Sequence, residues 1–385
     1  MTNHRIALAL EIDKAFPHHL DILGGVQAYA DDKANWTLII DEHPGARVRQ
    51  RPWAARYDGV IARASPTTQK LLTRRKCPLV NVHYQTHRPK VHGVYANPDR
   101  IGQIAAEHLI ERGFERFALL ADADHRHWEE VCKSFVQRCA DDEYHADMFP
   151  VRETDYLDID GWVQLEAAIS ACLDAIEPPA AIFAETSQIA RLVIEFAQAR
   201  GLVVPNDLAV LAFQATETIT RIPPQISSID WNLKRIGTAA AEMLELLISG
   251  KTPKERVQLI DPIGVIGRES TDYFAVEDQL VSRTLRYVSS RITEPMHIDD
   301  IAYAMNVSTR LLQQRVKQEI GTGLAEEILR LRLEIAKRLL ADSERPIGSI
   351  PAKAGFSSNN QMTAVFNRKL GMSPRAFRKS LKSHT

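Results

Sequence analysis

Short apolar runs alternate with longer amphipathic stretches along most of the chain. RIALALEI (5–12), WTLII (36–40) and DGVIAR (58–63) are typical of buried strands, and similar runs follow at 78–82, 92–96, 116–122, 180–185 and 208–213. Helical spacing of apolar residues separates several of these runs, at 98–112, 127–140 and 188–200. Strands that alternate with helices predict βαβ units, and therefore parallel sheets with helices on both faces. This region is long for one open sheet, so we predict two lobes.

The pattern changes near residue 277, where strand-like runs disappear and nearly every stretch has helical spacing. We predict a two-lobed α/β domain over 1–272 and an all-α domain over 277–385. The segment 298–320 predicts two helices joined by a tight turn at Asn306, with Ser308 capping the second helix. The same plan recurs about 49 residues later around Gly355, with a cap at Ser357 or Ser358.

A long amphipathic helix is predicted between these two helix-turn-helix units, at 324–340. At ~1.5 Å per residue it spans roughly 25 Å, a spacing that would hold the two units near successive major-groove faces of DNA. Each second helix has an apolar face that we expect to be buried: Leu311, Leu312, Val316 and Ile320 in the first unit, and Met362, Val365 and Phe366 in the second.

Charge is distributed unevenly, although the net charge of the whole chain is only -1. From Glu277 to the end there are 18 Lys and Arg against 11 Asp and Glu. From Arg345 onward there are 8 basic residues and no acidic ones. A basic all-α domain behind an acidic α/β domain indicates a nucleic-acid partner for the helical domain.

The exposed faces of the two second helices carry side chains that suit DNA. Arg can read guanine and Asn or Gln can read adenine, while other basic groups suit phosphates. The residues that we predict to contact DNA are Thr309, Arg310, Gln313, Gln314, Arg315 and Lys317 in the first unit, and Asn359, Asn360, Gln361, Thr363, Ala364, Arg368 and Lys369 in the second. A merely basic, solvated helical bundle is the alternative, and the repetition of the unit argues against it.

The helical region resembles the AraC/XylS family of transcription regulators over about residues 280–380. The resemblance rests on AKRLL (336–340), IxxI (347–350), GFSS (355–358) and FxxxxGxSPxxFR (366–378). It implies two helix-turn-helix motifs joined by one helix. Pro351 and Met362 depart from the family pattern. Because proline lacks an N–H group, we expect the helix that contains Pro351 to begin close to Ser349, where the loss is small.

The first domain resembles the periplasmic-binding-protein-like effector domain of LacI/GalR regulators over about residues 4–270. The segments that carry the resemblance are YDGVIAR (57–63), CPLVNV (77–82), IAAEHLIERGFERFALL (104–120), RGLVVPNDLAVLAF (200–213) and ISSIDWNLKRIGTAAAEMLELL (226–247). Together with GRESTDY (267–273) and the helical region, it resembles the xylose-operon regulators. This implies a cytoplasmic homodimer that binds a sugar effector and operator DNA, with RNA polymerase as a further partner.

The resemblance also implies where the effector binds, because ligands of such domains meet side chains at strand ends. The matching residues are Glu11, Asp13, Phe16, Asn97, Arg126, Trp128, Glu185, Thr186 and Gln214. Acids and amides suit pairs of sugar hydroxyls, and an aromatic face suits the ring. The amides at Asn97 and Gln214 replace acids that are frequent in the family. The resemblance therefore implies a sugar as effector, and these replacements leave both xylose and other sugars as candidates.

Other chemistry has little support in the sequence. There is no phosphate-binding glycine loop and no nucleophile motif, so a sugar-processing enzyme with a basic appendage is the weaker alternative. We expect no cofactor. HYQTH (83–87) places two histidines in a loop-like stretch, and we expect no metal there. Four dispersed cysteines suit a reduced protein, with Cys132 and Cys139 half-buried on a helix. The apolar run near the start is too short for a signal peptide or a membrane span.

Overall fold

The computed structural model describes residues 3–10, 18–33, 35–44, 57–74, 76–84, 90–122, 126–151, 159–272, 278–341 and 346–383. Its elements follow one another along the chain as β1 (His4–Ala9), α1 (His18–Lys33), β2 (Trp36–Ile40), β3 (Gly59–Ala62), α2 (Pro66–Arg74), β4 (Leu79–Asn81), β5 (His92–Ala96), α3 (Pro98–Ile110), β6 (Arg116–Asp122), α4 (Arg126–Asp141), β7 (His145–Val151), α5 (Ile159–Ala175), β8 (Ala180–Thr186), α6 (Ser187–Ala199), β9 (Leu208–Gln214), α7 (Glu217–Thr220), β10 (Ser227–Asp230), α8 (Leu233–Ile248), β11 (Val257–Ile260), β12 (Gly264–Ile266), α9 (Gln279–Ser290), α10 (Ile298–Ala304), α11 (Thr309–Ile320), α12 (Leu324–Ala341), α13 (Ile350–Lys353), α14 (Asn359–Leu370) and α15 (Pro374–Ser383).

Two sheets form the two lobes of the first domain. The sheet of lobe 1 has the strand order β2-β1-β3-β4-β5-β11, and all its neighbouring strands are parallel. The sheet of lobe 2 has the order β7-β6-β8-β9-β10-β12. Here β12 runs antiparallel to β10, whereas the other neighbouring strands of this sheet are parallel, as predicted. The reason is topological: β10 ends at the junction between the lobes, whereas β12 begins there.

The chain crosses between the lobes three times, always at the carboxyl ends of strands. After β5 it continues into α3, which packs against α4 of lobe 2. After β10 it continues into α8, which packs against α1 of lobe 1. The third crossing joins β11 to β12. Because all three crossings lie at one edge, the carboxyl ends of both sheets face the space between the lobes, where ligands of such sheets bind.

Helices α1 and α8 approach each other as closely as their backbones allow. A Cβ atom on Gly25 would lie 2.0 Å from the carbonyl oxygen of Lys234, and one on Gly237 would lie 2.0 Å from that of Ile22. Glycine is therefore required at both positions for close packing. This contact fixes α8, the helix that returns the chain to lobe 1, against the first helix of that lobe.

The helical domain has two small cores, one for each helix-turn-helix unit. The first core joins α9, α10 and α11 to the beginning of α12, through residues such as Leu285, Ile301 and Val316. The second joins the later part of α12 to α13 and α14, through residues such as Ala336 and Phe366. Helix α12 therefore belongs to both cores. The predicted boundary between the domains falls largely on 273–277, outside the described residues, and stays a prediction. None of the described helices is both long and apolar enough to cross a membrane.

Replacing Gly25 with alanine tests the contact between α1 and α8. The added methyl group would overlap the Lys234 carbonyl, so we expect Gly25→Ala to lower the free energy of unfolding by about 1–3 kcal/mol. Gly24→Ala is the matched control, because a Cβ at Gly24 would have no atom within 4 Å. In a helix interior this substitution should raise stability by about 0.5–1 kcal/mol. Urea denaturation of both variants measures the difference, and equal stability would contradict the contact.

Candidate effector cleft and nucleic-acid interface

Hydrogen bonds tie the three lobe crossings together. Asn97, at the first crossing, donates from Nδ2 to Oδ1 of Asp261 at the third crossing over 2.7 Å. Asn232, at the second crossing, donates from Nδ2 to the Asp261 carbonyl oxygen over 3.3 Å. Asn97 also caps α3 by accepting a bond from the N–H of Arg100 over 3.4 Å. The amide of Asn97 therefore holds the hinge, and its predicted contact with a ligand stays a prediction.

A cluster of aromatic rings runs from lobe 1 into lobe 2 beside this hinge. Tyr84, just after β4, lies with its ring centroid 4.9 Å from that of His127 on α4. The His127 ring in turn lies 5.5 Å from Trp231 of the second crossing and 5.6 Å from Phe213 of β9. Phe213 and Trp231 are 4.4 Å apart. Tilted and T-shaped rings at these distances attract one another beyond simple burial, so they hold the two lobes together at this point.

A polar contact reinforces the aromatic one. The Tyr84 hydroxyl donates a short hydrogen bond to Oε2 of Glu130, and Nε of Arg126 lies 3.6 Å from Oε1 of the same carboxylate. The Arg126 guanidinium also lies 5.9 Å from the centre of the Tyr84 ring. Burial, and then the bond to Glu130, raise the pKa of Tyr84 far above its ordinary value, so the hydroxyl remains a donor. A lobe 1 tyrosine is thus held on a lobe 2 helix, and we call this set of three residues the lobe latch.

The residues of lobe 2 that were predicted to bind the effector lie at its strand ends, as expected. Glu185 is buried at the end of β8, and Thr186 accepts a bond from the N–H of Ile189 over 3.2 Å, which caps α6. Gln214 is half-buried at the end of β9, in register with Thr186. A few polar groups at such strand ends can fix the orientation of a ligand, and a carboxylate beside an amide suits pairs of hydroxyl groups.

Trp128 lies deeper than a sugar-stacking residue would. Its side chain is 1% exposed, and its ring packs 4.8 Å from Phe183 and 4.7 Å from Phe213. No ring face is therefore open to a sugar in this structure. Among the described atoms its buried indole N–H has no hydrogen-bond partner, and such a group is rare and costly. The N–H, rather than the ring face, is what Trp128 can offer to a ligand.

The structure also shows residues that the sequence reasoning missed or could not place. Tyr84, Glu130 and Trp231 join Arg126 beside the hinge, and the only available signal was that Tyr84 follows a strand end in HYQTH. The predicted ligands Glu11, Asp13 and Phe16 lie outside the described residues. Cys132 and Cys139 are fully buried instead of half-buried. Burial raises the pKa of Cys139 to about 12 and that of Cys132 still further, so both thiols are inert.

The two helix-turn-helix units of the second domain have the same local construction. In the first, Asn306 makes the turn with φ 59° and the Ser308 hydroxyl accepts a bond from the N–H of Leu311 over 3.3 Å. In the second, Gly355 makes the turn with φ 80° and the Ser358 hydroxyl accepts from the N–H of Gln361 over 3.1 Å. The predicted turns and caps are confirmed. Both second helices, α11 and α14, therefore begin at a fixed residue, and they form the candidate DNA-reading helices.

Pro351 does not disturb the second unit. Helix α13 begins at Ile350 with Ser349 as its cap residue, so Pro351 lies in the first turn, where its missing N–H has no helical partner to lose. The predicted start near Ser349 is confirmed. The carbonyl oxygen of Pro351 accepts a bond from the N–H of Phe356 over 2.8 Å, which closes the turn.

The buried faces of the reading helices follow the prediction except at Leu311, which is exposed, and at Ile320, which is half-buried. Leu312 and Val316 of α11, and Met362, Val365 and Phe366 of α14, are buried. Leu311 is 40% exposed, so its predicted burial is wrong. One residue along a helix is a rotation of about 100°, and Leu311 therefore points away from the face that Leu312 shares with Val316.

The predicted DNA-contacting residues fall into two groups. The first group is exposed and has no side-chain hydrogen bond or ion pair to any residue that the structure describes: Arg310, Gln313, Gln314, Lys317, Asn359, Asn360 and Ala364. The half-buried Thr363 lies between Asn360 and Ala364. These side chains form one polar face on each reading helix.

The second group is already bonded to the domain itself. The Thr309 hydroxyl donates to Asp299 over 2.7 Å, and Nη1 of Arg315 donates to Asp278 over 2.7 Å. Oε1 of Gln361 accepts from the Ser357 N–H over 2.8 Å, which reinforces the cap. Arg368 and Lys369 both pair with Glu326 of α12. A DNA phosphate would have to compete with these partners, so the predicted roles of this group stay predictions.

Arg332 of α12 fixes the spacing between the two units. It is 7% exposed, and it donates from Nε to the Ile292 carbonyl over 3.0 Å and from Nη2 to that of Glu294 over 2.8 Å. Gly355 of the second unit packs against the same place, where a Cβ atom would lie 2.4 Å from the Ile292 oxygen. The first unit, the joining helix and the turn of the second unit thus meet at one buried guanidinium.

Comparisons with known proteins agree with this two-part construction. The family model of a periplasmic binding protein-like domain matches residues 106–271, and that of a helix-turn-helix domain matches residues 301–380. The chain is 27% identical over 388 residues to the xylose operon regulatory proteins of Escherichia coli, covering 97% of each chain, and of Haemophilus influenzae, covering 97% of this chain and 98% of that one. The solved structure of the xylose-binding transcription activator xylR matches with a TM-score of 0.62 and 25% identity over 99% of both chains.

These similarities run through both domains in the same order. The predicted fold, two α/β lobes followed by a helical domain with helix-turn-helix motifs, is confirmed. The alternative of a sugar-processing enzyme is wrong, because the homologues are regulators. The chain is therefore a transcription regulator homologous to the xylose operon regulatory proteins, in which a periplasmic binding protein-like domain precedes an AraC-type helix-turn-helix domain.

Proposed function

We propose that this regulator binds operator DNA through α11 and α14 and that a sugar in the cleft between its lobes controls this binding. The observation that carries the proposal is the pair of capped reading helices on one joining helix. Helix α12 has 18 residues, which at ~1.5 Å each is roughly 27 Å, and successive major-groove faces recur about every 34 Å. Two reading helices on a spacer of this length can therefore enter adjacent turns of the groove.

The chemistry of each reading helix supports direct readout of bases. The Arg310 guanidinium presents two donors, which suits guanine. The Asn360 amide presents one donor and one acceptor, which suits adenine. Gln313 and Gln314 can read bases in the same way. Lys317 is placed for a phosphate, which would fix the position of α11 on the duplex. Since much of the affinity would come from phosphates, we expect binding to weaken steeply with salt.

The chemistry of the cleft supports a sugar as effector. Glu185 and Gln214 offer oxygens and an amide for hydroxyl pairs, and the buried Trp128 N–H has no partner among the described atoms. The relatives named above are regulators of the xylose operon, so a pentose is the first candidate. Sugar binding would then supply the missing acceptor for Trp128 and draw the lobes together around the hinge.

The proposed assembly is a cytoplasmic homodimer that carries four helix-turn-helix units. Two copies on one operator would read two half-sites, and the effector would change the relation between them. RNA polymerase is the partner through which a bound dimer would act on transcription.

A thermal-shift screen tests the effector class. We expect one pentose, with D-xylose as the first probe, to raise the melting temperature, because a ligand at about 100 times its dissociation constant adds roughly 2.7 kcal/mol to stability. Hexoses, sugar acids and sugar phosphates serve as comparison ligands. A shift by phosphates alone would contradict the proposed sugar, and no shift by any of them would contradict the sensory role of the cleft.

The lobe latch can be tested through Tyr84→Phe, which keeps the ring but removes the hydroxyl that bonds Glu130. We expect the affinity for the sugar to fall by about two- to tenfold, since one hydrogen bond contributes about 0.5–1.5 kcal/mol to lobe closure. Tyr303→Phe is the control, because Tyr303 is 88% exposed in the helical domain. Titration calorimetry measures both variants. Unchanged affinity in Tyr84→Phe would show that the latch does not contribute to closure.

The DNA-reading role can be tested on duplexes selected from a random library by the full-length protein. We expect Arg310→Ala or Asn360→Ala to relax the preference at one base pair by about 1–3 kcal/mol in competition binding. Gln318→Ala is the control, because Gln318 is exposed in the last turns of α11, away from the residues near the start of the helix that reach base edges. Uniform weakening on all sequences would instead make Arg310 and Asn360 phosphate contacts.

A further inference from the structure

An open groove of about 320 Å³ separates lobe 2 from the helical domain. One wall is formed by α3 and β12, and the other by α12 with the turn before α10. The two walls present apolar side chains to each other: Ile104, Ile263 and Val265 from the first domain, and Ile292, Leu331 and Ile335 from the second. Side chains of this kind on both walls are typical of an interface between domains. Helix α12 is the helix that joins the two DNA-reading units.

The segment that leaves the first domain is bound tightly to lobe 2 beside this groove. Nε2 of His108, near the end of α3, lies 2.8 Å from Oγ1 of Thr271, and Nε of Arg112 donates to the Thr271 carbonyl over 2.8 Å. Oγ of Ser227 on β10 lies 2.6 Å from the same Thr271 hydroxyl. The segment that leads into the helical domain therefore starts from Thr271, which is bound to α3 and β10. This starting point moves together with lobe 2.

Charged side chains act on each other across the groove. Burial, and then the like charge of Arg330 on α12, lower the pKa of Arg112 to about 10, while Asp272, Glu111 and the α12 residue Glu327 oppose this change. On the other wall, Arg330 donates from Nε and Nη2 to the two carboxylate oxygens of Glu327, and these bonds raise the pKa of Arg330. Glu334 and, from the opposite wall, Glu111 add to the effect. Attraction between Glu111 and Arg330 thus partly cancels the repulsion between the two guanidinium groups.

This balance suits a contact that can be formed and released. The apolar side chains of the two walls favour contact, and the opposed and paired charges beside them add a small net energy that a change in geometry can reverse. Helix α3 is placed to deliver such a change. The hinge residue Asn97 caps its start, Arg112 follows closely after its end and lines the groove, and its 13 residues span roughly 20 Å.

We propose that the walls of this groove form a docking contact between α3 and the joining helix α12, through which the state of the cleft reaches both DNA-reading units. The proposal rests on the proposed function, because it names the route between the effector cleft and the DNA. Helix α3 responds to the hinge through Asn97, and α12 carries one reading unit at each end. A shift of α3 against α12 would therefore move both units together and change their fit to the operator.

Two charge reversals of the same kind separate this contact from general electrostatics. Glu111→Lys adds a third cation to the groove beside Arg112 and Arg330 and should weaken docking. Glu115→Lys is the matched control, because Glu115 is exposed a few residues further on and does not line the groove. Both variants have the same net charge, so any general effect on the attraction of DNA is equal in the two.

The first readout is hydrogen exchange of α12 in the full-length protein, which needs neither sugar nor DNA. We expect exchange over residues 324–341 to be several-fold faster in Glu111→Lys than in Glu115→Lys. Equal exchange in the two variants would overturn the docking contact. This result is independent of the proposed function, because it does not depend on any ligand.

The second readout is coupling between the sites, measured as the ratio of operator dissociation constants with and without D-xylose. We expect the ratio to fall to within about twofold of one in Glu111→Lys and to keep its wild-type value in Glu115→Lys. Faster exchange with unchanged coupling would overturn the transmitting role. If the wild-type protein showed no response to the sugar, the proposed effector would fail, and the exchange experiment would still decide the docking contact.

A second pair of variants tests the apolar part of the contact. Ile104→Glu places a charge in the groove without changing the hydrophobic core of lobe 2, because Ile104 is outside that core. Leu246→Glu is the control, since Leu246 is 37% exposed on α8 of lobe 1. We expect Ile104→Glu alone to reproduce the behaviour of Glu111→Lys. Wild-type coupling in a folded Ile104→Glu protein would count against the docking contact.

Discussion

The crossing of the chain at one edge of both sheets is the constraint on which the rest of the first domain depends. Three strands end at this edge and each sends the chain to the other lobe, so the lobes can rotate about the crossings but cannot separate. Asn97, Asn232 and Asp261 bind the crossings to one another. The same geometry places the strand ends of both sheets around one cleft, and it makes β12 antiparallel. Hinge, cleft and strand direction thus have one topological cause.

The helical domain depends on a different device, a buried guanidinium at the centre of two small cores. Small cores bury little surface, so the stability that each provides on its own is marginal. Arg332 compensates by bonding two carbonyl oxygens of the first unit from the helix that also belongs to the second. The spacing of the reading helices therefore depends on α12 as a rigid element. Glu326 adds a further tie, since it pairs with Arg368 and Lys369 at the end of α14.

A regulator of this kind needs a connection between its two parts that is neither rigid nor loose. The exit segment around Thr271 is fixed to lobe 2, whereas the groove between α3 and α12 is lined by opposed and paired charges. The lobe latch of Tyr84, Glu130 and Arg126 has the same character within the first domain, since it joins the lobes by a few polar and aromatic contacts. Both connections join parts that are proposed to move, and they do so through contacts of modest energy. The apolar cores lie elsewhere, in the parts that stay fixed.

The sequence by itself determined the class of fold, five of the six strands of lobe 1, three of the six strands of lobe 2, and both helix-turn-helix units with their caps. These follow from local periodicity and from residues such as Asn306, Ser308 and Ser358. It also indicated DNA as partner through charge. Only the tertiary structure decided which side chains are already bonded, such as Gln361 and Arg368, and that Leu311 is exposed. It alone brought Tyr84 to Glu130 and α3 to α12. Such contacts join residues far apart in the chain, and no local pattern records them.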